Sequence, residues 1–510
     1  MLKKKKVNFL NIVEKIGNKL PQPINIFILL IFLLLLIAHI LYLMKVEIHY
    51  TGLNISTGKI EELTLKINSL LTYEGIAHIF NTMTSNFTGF APLGTVLIAM
   101  LGVGVAENTG FLSAVLKKIV ITAPKKYITF IIVLTGVLSN IAGDAGIVVL
   151  PPLAAVLFMV LGRHPLAGFA AAFAGQSGGF SANLLLGTVD PLLAGITTEA
   201  AKLVDPNSLI TASCNWYFMM ASTFIIAIAG TIVTEKIVVP RLGEYKDQDN
   251  ELLENTSHEL SKQEEKALKI SGIVALMFIG LMCFLLLPKG SAFRVNGNLN
   301  NYVSKGLVPT IMIFFILPGL VYGIISGNIK NDKDFSNCLT KSMNSMGAYI
   351  ALSFFAAQFI SYFSYTNIGA IIAVKGASFL KEIHFTGFPL IILFIAFSGF
   401  INLFIGSASA KWAIMAPIFV PILMQLGYSP AFSQIGFRIG DSVTNIITPL
   451  MPYFGLLVTF AQKYDKKLGM GNMISIMAPY SLSFALCWIA LLFIWFIFNL
   501  PIGPNSFILL

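Results

Sequence analysis

Five ionisable residues interrupt otherwise apolar stretches of this 510-residue chain: Asp144, Asp190, Lys411, Arg438 and Asp441. An ionised side chain at membrane depth costs about 2.5–3.5 kcal/mol even on the permissive insertion scale, so each is expected to be paired or to carry function. Arg438 and Asp441 are three apart, which on a helix puts them on one face and within pairing reach. That spacing allows a structural ion pair. It equally allows Arg438 to bind an anion while Asp441 takes up a proton or cation, a role that desolvation of its carboxyl favours. Asp190 stands before Pro191 in LLLGTVDPLL and reads either as a helix cap or as a second proton site.

Two segments mix small, polar and helix-breaking residues: LSNIAGDAG (138–146) and FIGSASAKW (404–412). Irregular backbone at membrane depth is tolerated only where protein buries it or water reaches it, so both read as walls of a site. A helix starting after such a tip offers free N–H groups and a positive dipole end, which suit a carboxylate. Asp144 is split between binding its own tip backbone and lining a cavity, and Ser409 faces it at a constant offset of 265 positions. Trp412 beside Ser409 offers a flat ring for an aromatic ligand, whereas Trp488 and Trp495 suit interfacial anchors. Lys411 is expected to snorkel to the surface, Glu107 to lie at an interface, and His39 to pack in a helix core. Asn402 and Asn445 join as candidate site walls. The six histidines do not cluster, the four cysteines have no paired spacing, and GxSxG, HExxH and P-loop motifs are absent. No metal or bound cofactor is expected.

The elements that must position these residues follow from composition. With 56% hydrophobic and 11% charged residues, the chain is far from the quarter charged that soluble domains carry. It reads as an all-α polytopic membrane protein. Spans of roughly 20 apolar residues fall at 24–44, 92–113, 212–232, 268–288, 307–326, 346–366 and 471–498. The first span is longer than a signal-peptide core, and no small-residue cleavage site follows it. Regions 127–193 and 386–462 are apolar but broken by Gly, Pro and polar residues. Each is expected to hold a re-entrant hairpin (about 127–162 and 386–426) followed by a discontinuous helix (about 165–193 and 431–462).

The chain thus divides into a first half, 1–232, a charged loop, 233–269, and a second half, 270–510. Placing the N-terminus in the cytoplasm puts 23 Lys and Arg on that side and nine on the other, as the positive-inside rule requires. The net charge of +10 is therefore topological, and no nucleic-acid partner is indicated. Pro152, Gly162, Pro165 and Ser177 match Pro417, Gly427, Pro430 and Ser442, each pair 265 positions apart. The two hairpins enter from opposite sides, which makes nine spans and two hairpins in an inverted repeat, an arrangement found in many secondary transporters.

The strings AGDAGIVVLPPLAAVLF, GRHPLAGFAAAFAGQSGGFSANLLLGTVDPLLAGIT and ASAKWAIMAPIFVPILMQLGYSPAFSQIGFRIGDSVTNIITPLMPYF strongly resemble the p-aminobenzoyl-glutamate transporter (AbgT) family over nearly the whole chain. The resemblance implies a homodimer in the bacterial inner membrane, each protomer with nine transmembrane helices and two re-entrant hairpins. It implies proton-driven transport of a small aromatic carboxylate, with no cofactor beyond the gradient and with sodium as an alternative coupling ion. Some members import p-aminobenzoyl-glutamate and others export p-aminobenzoate and sulfonamides. The residues implicated in the family map onto Asp190, Ser409, Trp412, Pro430, Arg438 and Asp441, with Asn402 a weaker cation-ligand candidate. The expected roles are ring stacking by Trp412, carboxylate binding by Arg438, Ser409 and tip N–H groups, and proton exchange by Asp190 and Asp441.

Overall fold

The computed structural model describes the chain from Pro23 onward, except residues 55–58, 143, 246–259, 289, 296–298, 300–301, 345, 450, 452–453 and 467. The basic N-terminal cluster and the centre of the charged loop therefore lie outside the described residues, as does the Asp144 side chain. Nearly everything else is helical. The seven expected spans are α1 (Pro23–Leu43), α3 (Ala91–Asn108), α9 (Trp216–Val233), α10 (Lys262–Leu286), α11 (Leu307–Ser326), α13 (Gly347–Tyr365) and α19 (Met470–Phe498). Between them lie α2 (Tyr73–Thr88), α4 (Phe111–Ile121), α12 (Asp332–Asn344) and α14 (Ile368–Glu382). A single antiparallel ribbon among the described residues, β1 (Glu47–Asn54) with β2 (Lys59–Lys66), follows α1. Among the described residues eight helices are long and apolar enough to cross a membrane, or nine if the bent pair Phe111–Ile121 and Lys125–Ile141, kinked by 108°, counts as one.

The broken regions resolve into short helices. The first holds α5 (Ile128–Leu138), α6 (Asp144–Val160), α7 (Pro165–Phe173) and α8 (Val189–Ala201); the second holds α15 (Phe388–Asn402), α16 (Ala408–Gln425), α17 (Pro430–Asn445) and α18 (Phe454–Ala461). At 1.5 Å per residue, arms α5, α6 and α15 reach about 16–26 Å, short of the roughly 30 Å hydrocarbon core, whereas α16 is among the eight longer apolar helices.

The offset of 265 recurs in these elements. Gly162 and Gly427 both take positive φ (71° and 91°), each ending an arm. Beyond each, an N–H folds back onto the helix: Arg163 to the Phe158 carbonyl (2.8 Å) and Tyr428 to the Leu423 carbonyl (3.0 Å). That is a Schellman-type stop, which needs a residue free of a Cβ penalty. Pro165 and Pro430 then open the next helices at the position where a missing N–H costs nothing. The match extends to glycines that sequence reading passed over. A Cβ on Gly175 would sit 2.3 Å from the Val133 carbonyl, and one on Gly440 would sit 2.4 Å from the Ile395 carbonyl. Each glycine lets its broken helix press against the first arm of its own hairpin.

The largest buried cluster runs through α5–α9 and α13–α19, and α3, α4, α10 and α11 form a smaller one around Val103, Phe111, Phe315 and Tyr322. The two halves meet at α8, α16 and α17, and Asp190, Lys411, Arg438 and Asp441 gather there.

Candidate functional site

Hairpin-tip chemistry sets the start of α16. Ser407 is its N-cap, its hydroxyl accepting from the Ala410 N–H (3.4 Å) and lying 3.3 Å from the Ser409 hydroxyl. Ser429 caps α17 in the same way, accepting from the Phe432 N–H (3.1 Å), with Pro430 buried at the first helical position. Pro430 therefore shapes the helix that carries Arg438 and Asp441.

The buried ion pairs use partners that the sequence spacing did not single out. Arg438 does not pair with Asp441 three residues on; its guanidinium reaches across the two halves to Asp190, 2.6 Å away, with both side chains about 4% exposed. Asp190 also accepts from the Gly187 N–H (2.7 Å), so it ties the broken backbone before α8 as well as pairing. Asp441 instead pairs with Lys411, whose ammonium also donates to the Asn402 side-chain oxygen. Lys411 therefore does not snorkel: it is fully buried, since its stem from α16 points inward to a carboxylate that lipid could not replace. Asn402 donates to the Asp441 carbonyl, the Thr444 hydroxyl and the Asn445 side-chain oxygen, each at 2.8 Å. Asn445 lies 3.4 Å from the second Asp441 oxygen. A buried ion pair is tolerable when further hydrogen bonds satisfy its remaining atoms, as they do here.

Trp412 is fully buried. Its ring has no accessible surface and stacks on Phe437 (4.5 Å between centroids, 29°), while its indole N–H donates to the Thr197 hydroxyl (2.9 Å). The Gln434 side chain lies 2.6 Å from the same hydroxyl and 3.0 Å from the Asn215 side chain. Thr197, Gln434 and Asn215 escaped sequence reading. A signal existed for two of them, because Gln434 is one turn before Arg438 and Thr197 is seven residues after Asp190, each on its partner's helix face.

Ser409 opens onto water-accessible space. It lines a cavity of about 410 Å³ together with Thr188, Val189, Lys341 and Tyr349. Thr188 and Val189 begin α8, and Ser409 lies in the first turn of α16, so two helix N-termini, one from each half, meet at this cavity. Glu107, expected at an interface, lines it too. His39 is held by the Ser69 hydroxyl (2.9 Å). Among the described residues no group of His, Cys, Asp or Glu could hold a metal ion.

At the turn between α6 and α7, Arg163 binds both Glu235 oxygens at 2.7 Å and the Thr129 hydroxyl at 3.1 Å. Beside it His164 caps α7, and burial holds its imidazole below the ordinary value of 6.5, with the Asp465 charge pulling the other way.

Comparison with known proteins places this architecture. The profile of the AbgT putative transporter family matches residues 8–510. The "p-aminobenzoyl-glutamate transport protein" of Escherichia coli is 36% identical over 97% of this chain and 96% of its own length. The crystal structure of the Alcanivorax borkumensis YdaH transporter, described as having an unusual topology, superposes with a TM-score of 0.88 at 41% identity, covering 95% of this chain and all of that one. Neisseria gonorrhoeae MtrF, whose structure is said to illuminate a class of antimetabolite efflux pumps, superposes at 0.92 with 47% identity over 98% of this chain and all of that one.

Proposed function

The chain belongs to the AbgT putative transporter family, a multi-pass membrane transporter family, and from that premise we propose that it is a proton-coupled secondary transporter of p-aminobenzoyl-glutamate or related p-aminobenzoate-like compounds. The observation that carries this reading is the meeting of two helix N-termini, from α8 and α16, at one cavity of about 410 Å³. That volume suits a single small aromatic ligand. The dipole ends and Ser409 favour its carboxylate, and Lys341 adds a positive charge on the wall. Asp190 follows Val189 directly, so a change in its pairing with Arg438 is felt at the cavity wall. A carrier needs a carboxylate whose charge changes between its two faces, and Asp190 and Asp441 are, among the described residues, the two buried at the meeting of the halves.

In this reading the protein sits in the bacterial inner membrane as a homodimer, with its N-terminus cytoplasmic and the halves inverted. Lys341 and Glu107 then mark the cytoplasmic mouth of the cavity. Trp412 is enclosed in this conformation and meets the ligand only once the hairpin moves.

The test is flux in proteoliposomes with radiolabelled p-aminobenzoyl-glutamate and p-aminobenzoate under a pH gradient of either direction, with and without a protonophore. Gradient-dependent, protonophore-sensitive flux is expected, and its absence for both compounds would overturn the proposed substrate class. Efflux of p-aminobenzoate and sulfonamides is the second reading, favoured by the identity to MtrF; preference for p-aminobenzoate over its glutamate conjugate selects it. Loss of flux when choline replaces sodium would instead favour sodium coupling.

A further inference from the structure

A second cavity, also of about 410 Å³, lies at the far end of the same helices. The first cavity takes Val96 from α3, Leu192 from α8 and Tyr349 from α13; the second takes Phe90, Glu199 and Ala357 along the same three helices. Only six to eight residues of each helix separate the two sets, about 9–12 Å at 1.5 Å per residue. The intervening septum is packed with buried side chains, among them Leu193, Ile196, Ser353 and Ala356.

The septum is not uniformly apolar. The Tyr349 hydroxyl, at the edge of the first cavity, and the Ser353 hydroxyl, one turn further along α13, are both buried and find no hydrogen-bond partner apart from one another. Ser353 is 1% exposed. Beyond it, α13 presents Ser361, Ser364 and Tyr365 to the second cavity. There the His78 ring stacks on Tyr365 (4.2 Å), and its Nε2 atom is likewise buried and without a partner. Buried polar atoms in folded proteins are normally satisfied. Tyr349 and His78 at the two cavities, with Ser353 between them, leave hydrogen-bonding capacity that a passing polar molecule would fill.

We infer that the second cavity is another binding station for the same aromatic carboxylate, and that Tyr349 and Ser353 form the gate through which the ligand passes between the stations along α13. This rests on the transport reading above. A ligand with an arylamine or amide offers hydrogen bonds to the two hydroxyls as it crosses. The stacked His78–Tyr365 pair gives its ring an aromatic wall, and Lys202, at the rim with Glu199 (2.8 Å), meets its carboxylate.

The test uses the full-length protein in proteoliposomes with p-aminobenzoate as the probe. Ser353→Leu fills the septum, and at least a tenfold loss of flux is expected while p-aminobenzoate binding is retained. Ser353→Ala fits the same space and guards against misfolding; it should lower maximal flux several-fold with little change in half-saturation. In a background with the four cysteines replaced, Ser361→Cys should react with a membrane-impermeant maleimide, and p-aminobenzoate should slow that reaction. Parent-like flux in both Ser353 variants, or Ser361→Cys labelling at one rate with and without p-aminobenzoate, would overturn the inference. If the parent itself moves no p-aminobenzoate, the transport reading fails instead, so the two failures are distinguishable.

Discussion

The cross-half pairing of Arg438 with Asp190 can be tested by a double-mutant cycle. At 2.6 Å the two charges attract by about 6 kcal/mol at an effective dielectric of 20, and desolvation of both side chains consumes part of that. Removing one partner of a buried pair typically costs about 3–5 kcal/mol. The two single variants should differ. Asp190→Asn leaves a guanidinium that cannot shed its proton, so it should fall at the upper end. Arg438→Met leaves a carboxyl that can take up a proton, so its cost should be lower, about 2–3 kcal/mol. In the double variant neither charge is stranded, and stability should return to within about 1 kcal/mol of the parent. The coupling energy is then several kcal/mol. It is measurable by titrating SDS into mild-detergent micelles and following the fluorescence of the buried Trp412 and Trp488. The control is Asp441→Asn in the same cycle. If Arg438→Met couples to Asp441→Asn and not to Asp190→Asn, the three-residue spacing was the correct guide and the pairing described above is wrong.

Trp412→Phe keeps a ring on Phe437 but loses the donor to Thr197, so it should cost about 1 kcal/mol, against about 3–5 for Trp412→Ala; equal losses in unfolding would contradict the stacking geometry. Gly440→Ala and Gly175→Ala each drive a methyl onto a carbonyl that cannot move aside. Each should destabilise by about 1–3 kcal/mol, whereas Gly272→Ala, with open space around it, should be neutral. Two unaffected glycine variants would refute the close helix approach. His164 lies at a turn outside the spans, and its folded-state value is below 6.5. Its contribution to stability is therefore present above about pH 6.5 and lost as pH falls through the lower folded value. Protonation also removes the acceptor that the Leu166 N–H uses (3.3 Å). The parent's melting temperature should fall more steeply on acidification than that of His164→Asn, which caps without titrating; parallel slopes would refute this.

Much of the architecture was legible in the residues because its signals are local. Membrane thickness dictates how long an apolar run must be, so α1, α9, α11, α13 and α19 could be bounded from composition to within a few residues. Gly162 with Pro165 and Gly427 with Pro430 mark where helices stop and restart, because a positive φ and a fixed φ are properties of single residues. The same locality exposed the 265-residue repeat. It also picked out Asp190, Arg438 and Asp441, since a charge in an apolar stretch is conspicuous wherever it folds.

Partnership was decided by the tertiary structure. A spacing of three permits Arg438 to meet Asp441, but it says nothing about Asp190, 248 positions away, whose helix is brought alongside only when the halves pack. Lys411 has a stem long enough to reach a membrane surface, and what turns it inward is a carboxylate on a different helix. Trp412 was recognisable as unusual, yet its partners Phe437 and Thr197 lie on α17 and α8. The two cavities at opposite ends of α3, α8 and α13 have no sequence signature at all. A cavity is the space left where helices fail to fill one another, and the order of residues in a chain does not encode that space locally.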